Sequence, residues 1–391
     1  MSERHRWVVL GVFLLSSTIN YLDRQVLPSL APQVIAEFKL TKEQFGILHS
    51  AMSITYAAGA PLAGMLVDRL GLTRGISLAL AVWSAAGILT GLSTTLVGLV
   101  ACRAVLGLAE AGGIPAAGKA VSLYLRPEER ALGSSLNQAF ISLGMIAAPP
   151  LALTIAALRD WRTAFVVTGA LGLLWIPVWR WTAPDGRATA TARHILPIDV
   201  LGDRRLWIFA GASAVSMVLY SLWSNWTVLY LVDAAHATLD QAKWFASLPP
   251  LFSTLGALGG GWLSYRFMKR GSEAIPARMR VCRSAALVAL ATAALPWLSG
   301  ADAAAAGISL SFFAVAAFSA NMYAMPLDAF SANRAAFAIA MLTASYGGMQ
   351  ALVSPLIGRV IDRWGYAPVC VGASLTPLAA YLILRGTVAR R

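Results

Sequence analysis

Gly64-Met65-Leu66-Val67-Asp68-Arg69-Leu70-Gly71-Leu72-Thr73-Arg74 decides the fold, because the chain repeats it. Gly261-Trp262-Leu263-Ser264-Tyr265-Arg266 begins 197 positions later, with Tyr265 where the first copy has Asp68. Gly358-Arg359-Val360-Ile361-Asp362-Arg363-Trp364-Gly365 keeps the internal spacing of the first copy. Each copy closes an apolar run. Repeated halves of apolar runs are the pattern of transporters that rock around a central site.

Working outward, the 391 residues are 58% hydrophobic and only 13% charged, about half the charge of a soluble domain. A membrane span needs about 20 apolar residues. Twelve such runs begin near residues 7, 45, 75, 97, 132, 163, 205, 243, 281, 303, 335 and 367. The first run carries Asp23-Arg24 near its end and has no small-residue cleavage site, so it reads as a retained span rather than a signal peptide. The fold expected is an all-α integral membrane protein, twelve transmembrane helices in two pseudo-symmetric six-helix bundles. The bundles are residues 1–182 and 205–391, joined by a charged cytoplasmic linker at 183–204.

The net charge of +13 does not indicate nucleic acid, because the bases sit in short gaps between apolar runs. With the N-terminus inside, 20 Lys and Arg fall in inner loops and tails against seven in outer loops. That bias places both termini in the cytoplasm. Cys102, Cys282 and Cys370 are too few and too scattered for a disulfide framework or a metal site. There is no Walker loop and no nucleophile elbow, so an enzyme is not expected.

Four charges interrupt the apolar runs: Asp23 and Arg24 in span 1, Arg103 and Glu110 in span 4. Charges at such depth cost roughly 2.5–3.5 kcal/mol each on insertion scales, so they need a reason. Arg103 and Glu110 are seven apart, which puts them on one helix face about 10 Å apart along the axis. They share a face without pairing directly. Asp23 and Arg24 are adjacent and point about 100° apart, so one faces the cavity while the other reaches towards span 4. A plainer account makes Asp23-Arg24 an interfacial cap and gives Arg103 and Glu110 purely structural ion pairs to other helices.

Asn20-Tyr21-Leu22-Asp23-Arg24 and Arg103-Ala104-Val105-Leu106-Gly107-Leu108-Ala109-Glu110-Ala111-Gly112-Gly113-Ile114-Pro115 carry a resemblance that covers nearly the whole chain. The sequence resembles the anion:cation symporter family of the major facilitator superfamily, which includes bacterial sugar-acid transporters, sialin and the vesicular glutamate transporters. Gly64 to Arg74 resembles the superfamily's loop 2–3 signature. The resemblance implies that Asp23 and Glu110 are proton-sensitive carboxylates and that Arg24 holds the substrate carboxylate. It implies a gating or pairing role for Arg103, a brace role for Asp68 and Arg74, and substrate contacts from Tyr21 and Gln138. His49 falls where the vesicular glutamate transporters have a functional histidine.

Two departures shape the expectation. Tyr265 removes the acid from the second copy of the loop signature. Span 7, from Tyr220 to Tyr230, has no arginine to hold a second carboxylate, which favours a monoanion. With two acids and two bases, an empty site is near neutral, and an anion entering alone leaves an uncompensated charge in low dielectric. A proton entering with it restores the balance. The expectation is proton-coupled symport of a small organic monoanion, such as a sugar acid, by a monomer in a bacterial inner membrane. No cofactor or metal is expected beyond the coupling proton, for which sodium stays an alternative. A drug–proton antiporter and a transporter-like nutrient receptor stay open as other functions. Tyr220, Trp223, Trp226 and Tyr230 follow roughly helical spacing, so some belong to the core and one or two line the cavity.

Overall fold

In hydrocarbon every backbone N–H and C=O must be satisfied inside the segment, so apolar runs of this length fold as helices. The computed structural model describes residues 3–183 and 198–388, apart from eleven side chains: those of residues 60, 61, 64, 68, 131, 198, 332, 333, 336, 387 and 388. The expected linker lies mostly outside the described residues.

The chain divides into two units. The first comprises Met1–Lys39 with Ile47–His194, and the second Leu40–Gly46 with Ile195–Arg391. In chain order the helices are α1 (Glu3–Ser29), α2 (Ala31–Phe38), α3 (Lys42–Leu70), α4 (Leu72–Leu92), α5 (Leu96–Glu110), α6 (Gly113–Tyr124), α7 (Arg130–Leu158) and α8 (Trp161–Thr182). They continue with α9 (Arg204–Asp233), α10 (Leu239–Phe245), α11 (Leu248–Lys269), α12 (Ala274–Ala289), α13 (Ala301–Ala329), α14 (Ala332–Trp364) and α15 (Tyr366–Val388). Among the described residues, nine helical segments are long and apolar enough to cross a membrane, α5 with α6 counting as one. Helices α1, α3 and α11 have 27, 29 and 22 residues, also of spanning length, which is consistent with the twelve expected spans. Among the described residues the fold is all-α.

Span 4 is broken where the sequence reading had one helix. Pro115 has no N–H to offer the carbonyl four residues back, and Gly112 and Gly113 weaken the same turn. Helix α5 therefore stops at Glu110 and α6 restarts at Gly113. Glu110 is thus the last residue before a break.

The repeated motif has a visible purpose at its third copy. Asp362 accepts hydrogen bonds from the backbone N–H groups of Lys42 and Glu43 at 3.1 and 3.0 Å, capping the first turn of α3. One turn earlier, a Cβ on Gly358 would run into the Lys42 carbonyl, so glycine lets that turn lie flat against α14. Arg359 pairs with Glu43, and Lys42 Nζ with Asp233 at 2.8 Å. Gly71 and Gly365, each three residues after a motif acid, have φ of 79° and 73° and make the sharp turns into α4 and α15. The Asp68 side chain lies outside the described residues; Arg74 is exposed in the first turn of α4.

Two acids, Asp160 in a loop and Glu37 at the end of α2, fix helix ends of the first unit. Asp160 caps α8 through the Thr163 N–H at 2.6 Å, and that bond holds its carboxyl below the usual range. Glu37 accepts from the Trp161 indole and pairs with Arg162 at 2.5 Å, and these two donors depress its pKa as well. Arg162 also binds the carbonyls of Gly91, in the last turn of α4, and of Ser93 just beyond it, at 2.8 and 2.6 Å. Below these ends a core of Phe13, Trp83, Trp175 and Trp179 fills the first unit.

Candidate functional site

Helix α1 turns Asn20 and Asp23 inward, where both are buried, while Arg24, one residue on, leaves the same turn in another direction. Its guanidinium reaches α5 and binds one oxygen of Glu110: Nε and Nη2 both donate to Oε2, at 3.1 and 2.9 Å. The Glu110 side chain is fully buried, whereas a quarter of the Arg24 side chain stays exposed. The rings of Tyr21 and Tyr56 stand over the guanidinium at 5.0 and 4.8 Å, within cation–π range.

Arg103 lies two turns before Glu110 and does not pair with it. It is 2% exposed, and its Nη2 donates to the Met52 thioether of α3 at 2.7 Å, a weak acceptor for a buried cation. Gly107, midway between the two charges, makes this possible. A Cβ there would collide with the Met52 carbonyl and the Thr55 hydroxyl, so α3 and α5 touch backbone to backbone. Asp23 is 4% exposed, with the Thr168 hydroxyl of α8 as its hydrogen-bonding neighbour and Glu110 and Arg103 as its charged ones. Burying a carboxylate without a directly paired cation costs several kcal/mol, so this arrangement is not one that stability selects.

A cavity opens beside the pair, lined among others by Tyr21, Tyr56, Trp83, Glu110 and Asn137. Asn137 of α7 accepts from Ser17 of α1 at 2.7 Å. The structure thus gathers Tyr21, Asp23, Arg24, Arg103 and Glu110 inside the first unit. His49 is buried in the same unit with Arg103 as a charged neighbour. Gln138 is exposed and does not line this cavity; its neighbour Asn137 does. Tyr56, Asn137 and Met52 were not singled out from the sequence. Tyr56 had a readable signal, since it sits seven residues after His49 in the same apolar run.

In the second unit Trp223, Trp226 and Tyr230 are core residues, 2%, 0% and 2% exposed. Tyr220 is half-buried against Phe312 and Tyr346, with ring centroids 5.1 and 6.4 Å away. Of the four aromatics it is the one left with accessible surface. Asn321 donates to the Ala317 carbonyl at 2.9 Å and Asn225 to the Ser221 hydroxyl at 3.4 Å, both within their own helices.

The profile of the Major Facilitator Superfamily matches residues 13–343. The chain is 32% identical to a probable sulfoacetate transporter, SauU, of Cupriavidus necator, over 92% of this chain and 88% of that protein. It is 24% identical to the hexuronate transporter of Escherichia coli K12, over 97% of this chain and 93% of that one. Among solved structures, a bacterial homologue of the human lysosomal transporter Spinster, inward-facing and occupied, superposes with a TM-score of 0.78 at 18% identity, covering 100% of this chain and 96% of the other. A point mutant of the nucleoside transporter NupG does so with a TM-score of 0.80 at 12% identity, covering 97% and 99%. These two likenesses concern the fold alone.

Proposed function

The chain belongs to the major facilitator superfamily, and from that premise we propose that it carries a small organic monoanion across the membrane together with a proton. It is a multi-pass membrane transporter and not an enzyme. Its relatives named for sulfoacetate, hexuronate and D-galactonate support an organic acid as the substrate class.

The observation that carries the reading is the Arg24–Glu110 pair. Arg24 is the partly exposed member, framed by Tyr21 and Tyr56, while Glu110 has no exposure at all. A substrate carboxylate reaching Arg24 competes with Glu110 for the same N–H groups. When it takes them, Glu110 is left as a buried carboxylate without its cation, and a proton removes that charge. Proton and anion then favour each other's binding by the same factor in both directions. Asp23, close to Glu110 and Arg103, belongs to the same charge balance. Sodium would meet the charge requirement equally well, and the experiment below separates the two.

Helix α9 supports the choice of a monoanion, since it has no Lys or Arg between Trp207 and Asp233. The bias of bases towards inner loops supports cytoplasmic termini, and the compact loops support a monomer in a bacterial inner membrane. The test is uptake into proteoliposomes of radiolabelled D-galactonate, D-glucuronate, sulfoacetate and a small monocarboxylate, under an imposed inward proton gradient or an equal sodium gradient. Accumulation of a monoanion with the proton gradient alone, lost in Arg24→Ala, is expected. Accumulation driven only by sodium, or only of sulfoacetate, overturns the proton or the monoanion part respectively. Binding without accumulation makes the protein a receptor, and export of cations against protons makes it an antiporter.

A further inference from the structure

Three residues that line one cavity of the first unit each carry a buried polar atom without a hydrogen-bond partner: Asn20 Nδ2, Trp83 Nε1 and Glu110 Oε1. The residues come from α1, α4 and α5 and are 6%, 1% and 1% exposed. Two of the atoms are obligate donors and the third is a carboxylate oxygen. Leaving any of them unsatisfied costs about 1–3 kcal/mol, so three around one space call for a common occupant.

The chemistry selects that occupant. An anion would suit the two donors but face the Glu110 carboxylate at close range. A cation would suit the carboxylate but meet two N–H groups. Water accepts from the amide and the indole and donates to the carboxylate, and the cavity has room for it. Arg24 occupies Oε2 with both of its hydrogen bonds, so Oε1 is the oxygen left for an occupant of the cavity.

We propose that this cavity is a hydration site from which the coupling proton reaches Oε1 of Glu110, with Asn20 and Trp83 as positioning residues. This rests on the reading that Glu110 takes up the proton. In the step itself the cavity water gives the proton of its hydrogen bond to Oε1 while a hydronium ion outside the cavity gives that water another. One O–H bond of the cavity water breaks as one forms at Oε1. One O–H bond of the hydronium breaks as one forms on the cavity water, on a lone pair that one N–H donor releases, leaving water outside. The carboxylate becomes a neutral acid, and Arg24 is then free for the substrate. The two N–H donors hold the cavity water with its hydrogens turned towards the carboxylate.

The test is a pH jump from alkaline to acid on the full chain in detergent micelles, followed by time-resolved infrared spectroscopy. The signal is the carboxylic-acid C=O band that Glu110→Gln removes. Asn20→Leu and Trp83→Phe each remove one donor at similar size. Gly113→Ala touches neither donor but places a methyl group 3.9 Å from Asn20 Nδ2 without a clash. The band is expected to rise roughly tenfold more slowly in these variants, with the final amplitude of the wild type, as for a lost proton-relay contact. Unchanged amplitude also reports an intact fold. A wild-type rate in all three variants overturns the hydration site and leaves the coupling reading standing. If acidification produces no band that Glu110→Gln removes, the coupling reading fails and the proposal falls with it.

Discussion

Replacing Arg24 with Met should destabilise the protein more than replacing Arg24 and Glu110 together. The guanidinium donates two hydrogen bonds to one carboxylate oxygen, the nearer at 2.9 Å, and the Glu110 side chain is fully buried. At an effective dielectric of 20, two unit charges at that separation attract by about 5–6 kcal/mol. Desolvation of both groups and the quarter exposure of Arg24 offset most of that attraction in the net stability of the pair, whereas the interaction energy that a mutant cycle reads stays near about 5 kcal/mol. Arg24→Met and Glu110→Leu each leave one charge buried alone, at roughly 3 kcal/mol. The double variant removes both charges and should lie within about 1 kcal/mol of the wild type. The assay is reversible unfolding in mixed micelles by SDS titration, arranged as a double-mutant cycle. Additive losses, to within about 0.5 kcal/mol, would refute the pair as the structure draws it.

Gly107→Ala should cost at least about 1–3 kcal/mol by overpacking α3 against α5, because the colliding atoms include a backbone carbonyl that cannot move aside. Wild-type unfolding of this variant would contradict the close approach. Asp362→Ala should remove the cap on α3 at a cost of about 1 kcal/mol and speed amide hydrogen exchange at Lys42 and Glu43, while unchanged exchange there would mean the cap is idle. Glu37, with its folded-state pKa depressed by Trp161 and Arg162, contributes stability that is present above its unfolded pKa and lost as pH falls through the folded value. The pair is close to half exposed, so Glu37→Gln should cost only about 0.5–1 kcal/mol at pH 7. That difference should shrink below about pH 4, and a difference that grows on acidification would be the wrong sign.

Fold class was legible because apolar length is written directly in the chain. The motif glycines were legible as a repeat but not in their role: Gly71 and Gly365 take positive φ at the turns into α4 and α15. The break in span 4 was written as Gly112, Gly113 and Pro115 but invisible to a count of apolar residues. Helical phase predicted that Asp23 and Arg24 diverge and that Arg103 and Glu110 share a face without pairing. It did not predict that Arg24 would choose Glu110, since that depends on how α1 packs on α5. Asn137 in place of Gln138 is a difference of one residue, or about 100° of helix rotation, which sequence fixes only once the neighbouring helices are placed. Spacing likewise grouped Tyr220 with three core aromatics, because burial and cavity lining use the same periodicity.

The most direct test of proton–anion coupling through Glu110 is anion-driven proton flux. Proteoliposomes loaded with a pH-sensitive dye, at equal pH inside and out, receive the transported anion on the outside. The account predicts acidification of the lumen in the wild type and anion entry without acidification in Glu110→Gln. Anion entry into wild-type vesicles with no change in lumenal pH would contradict it.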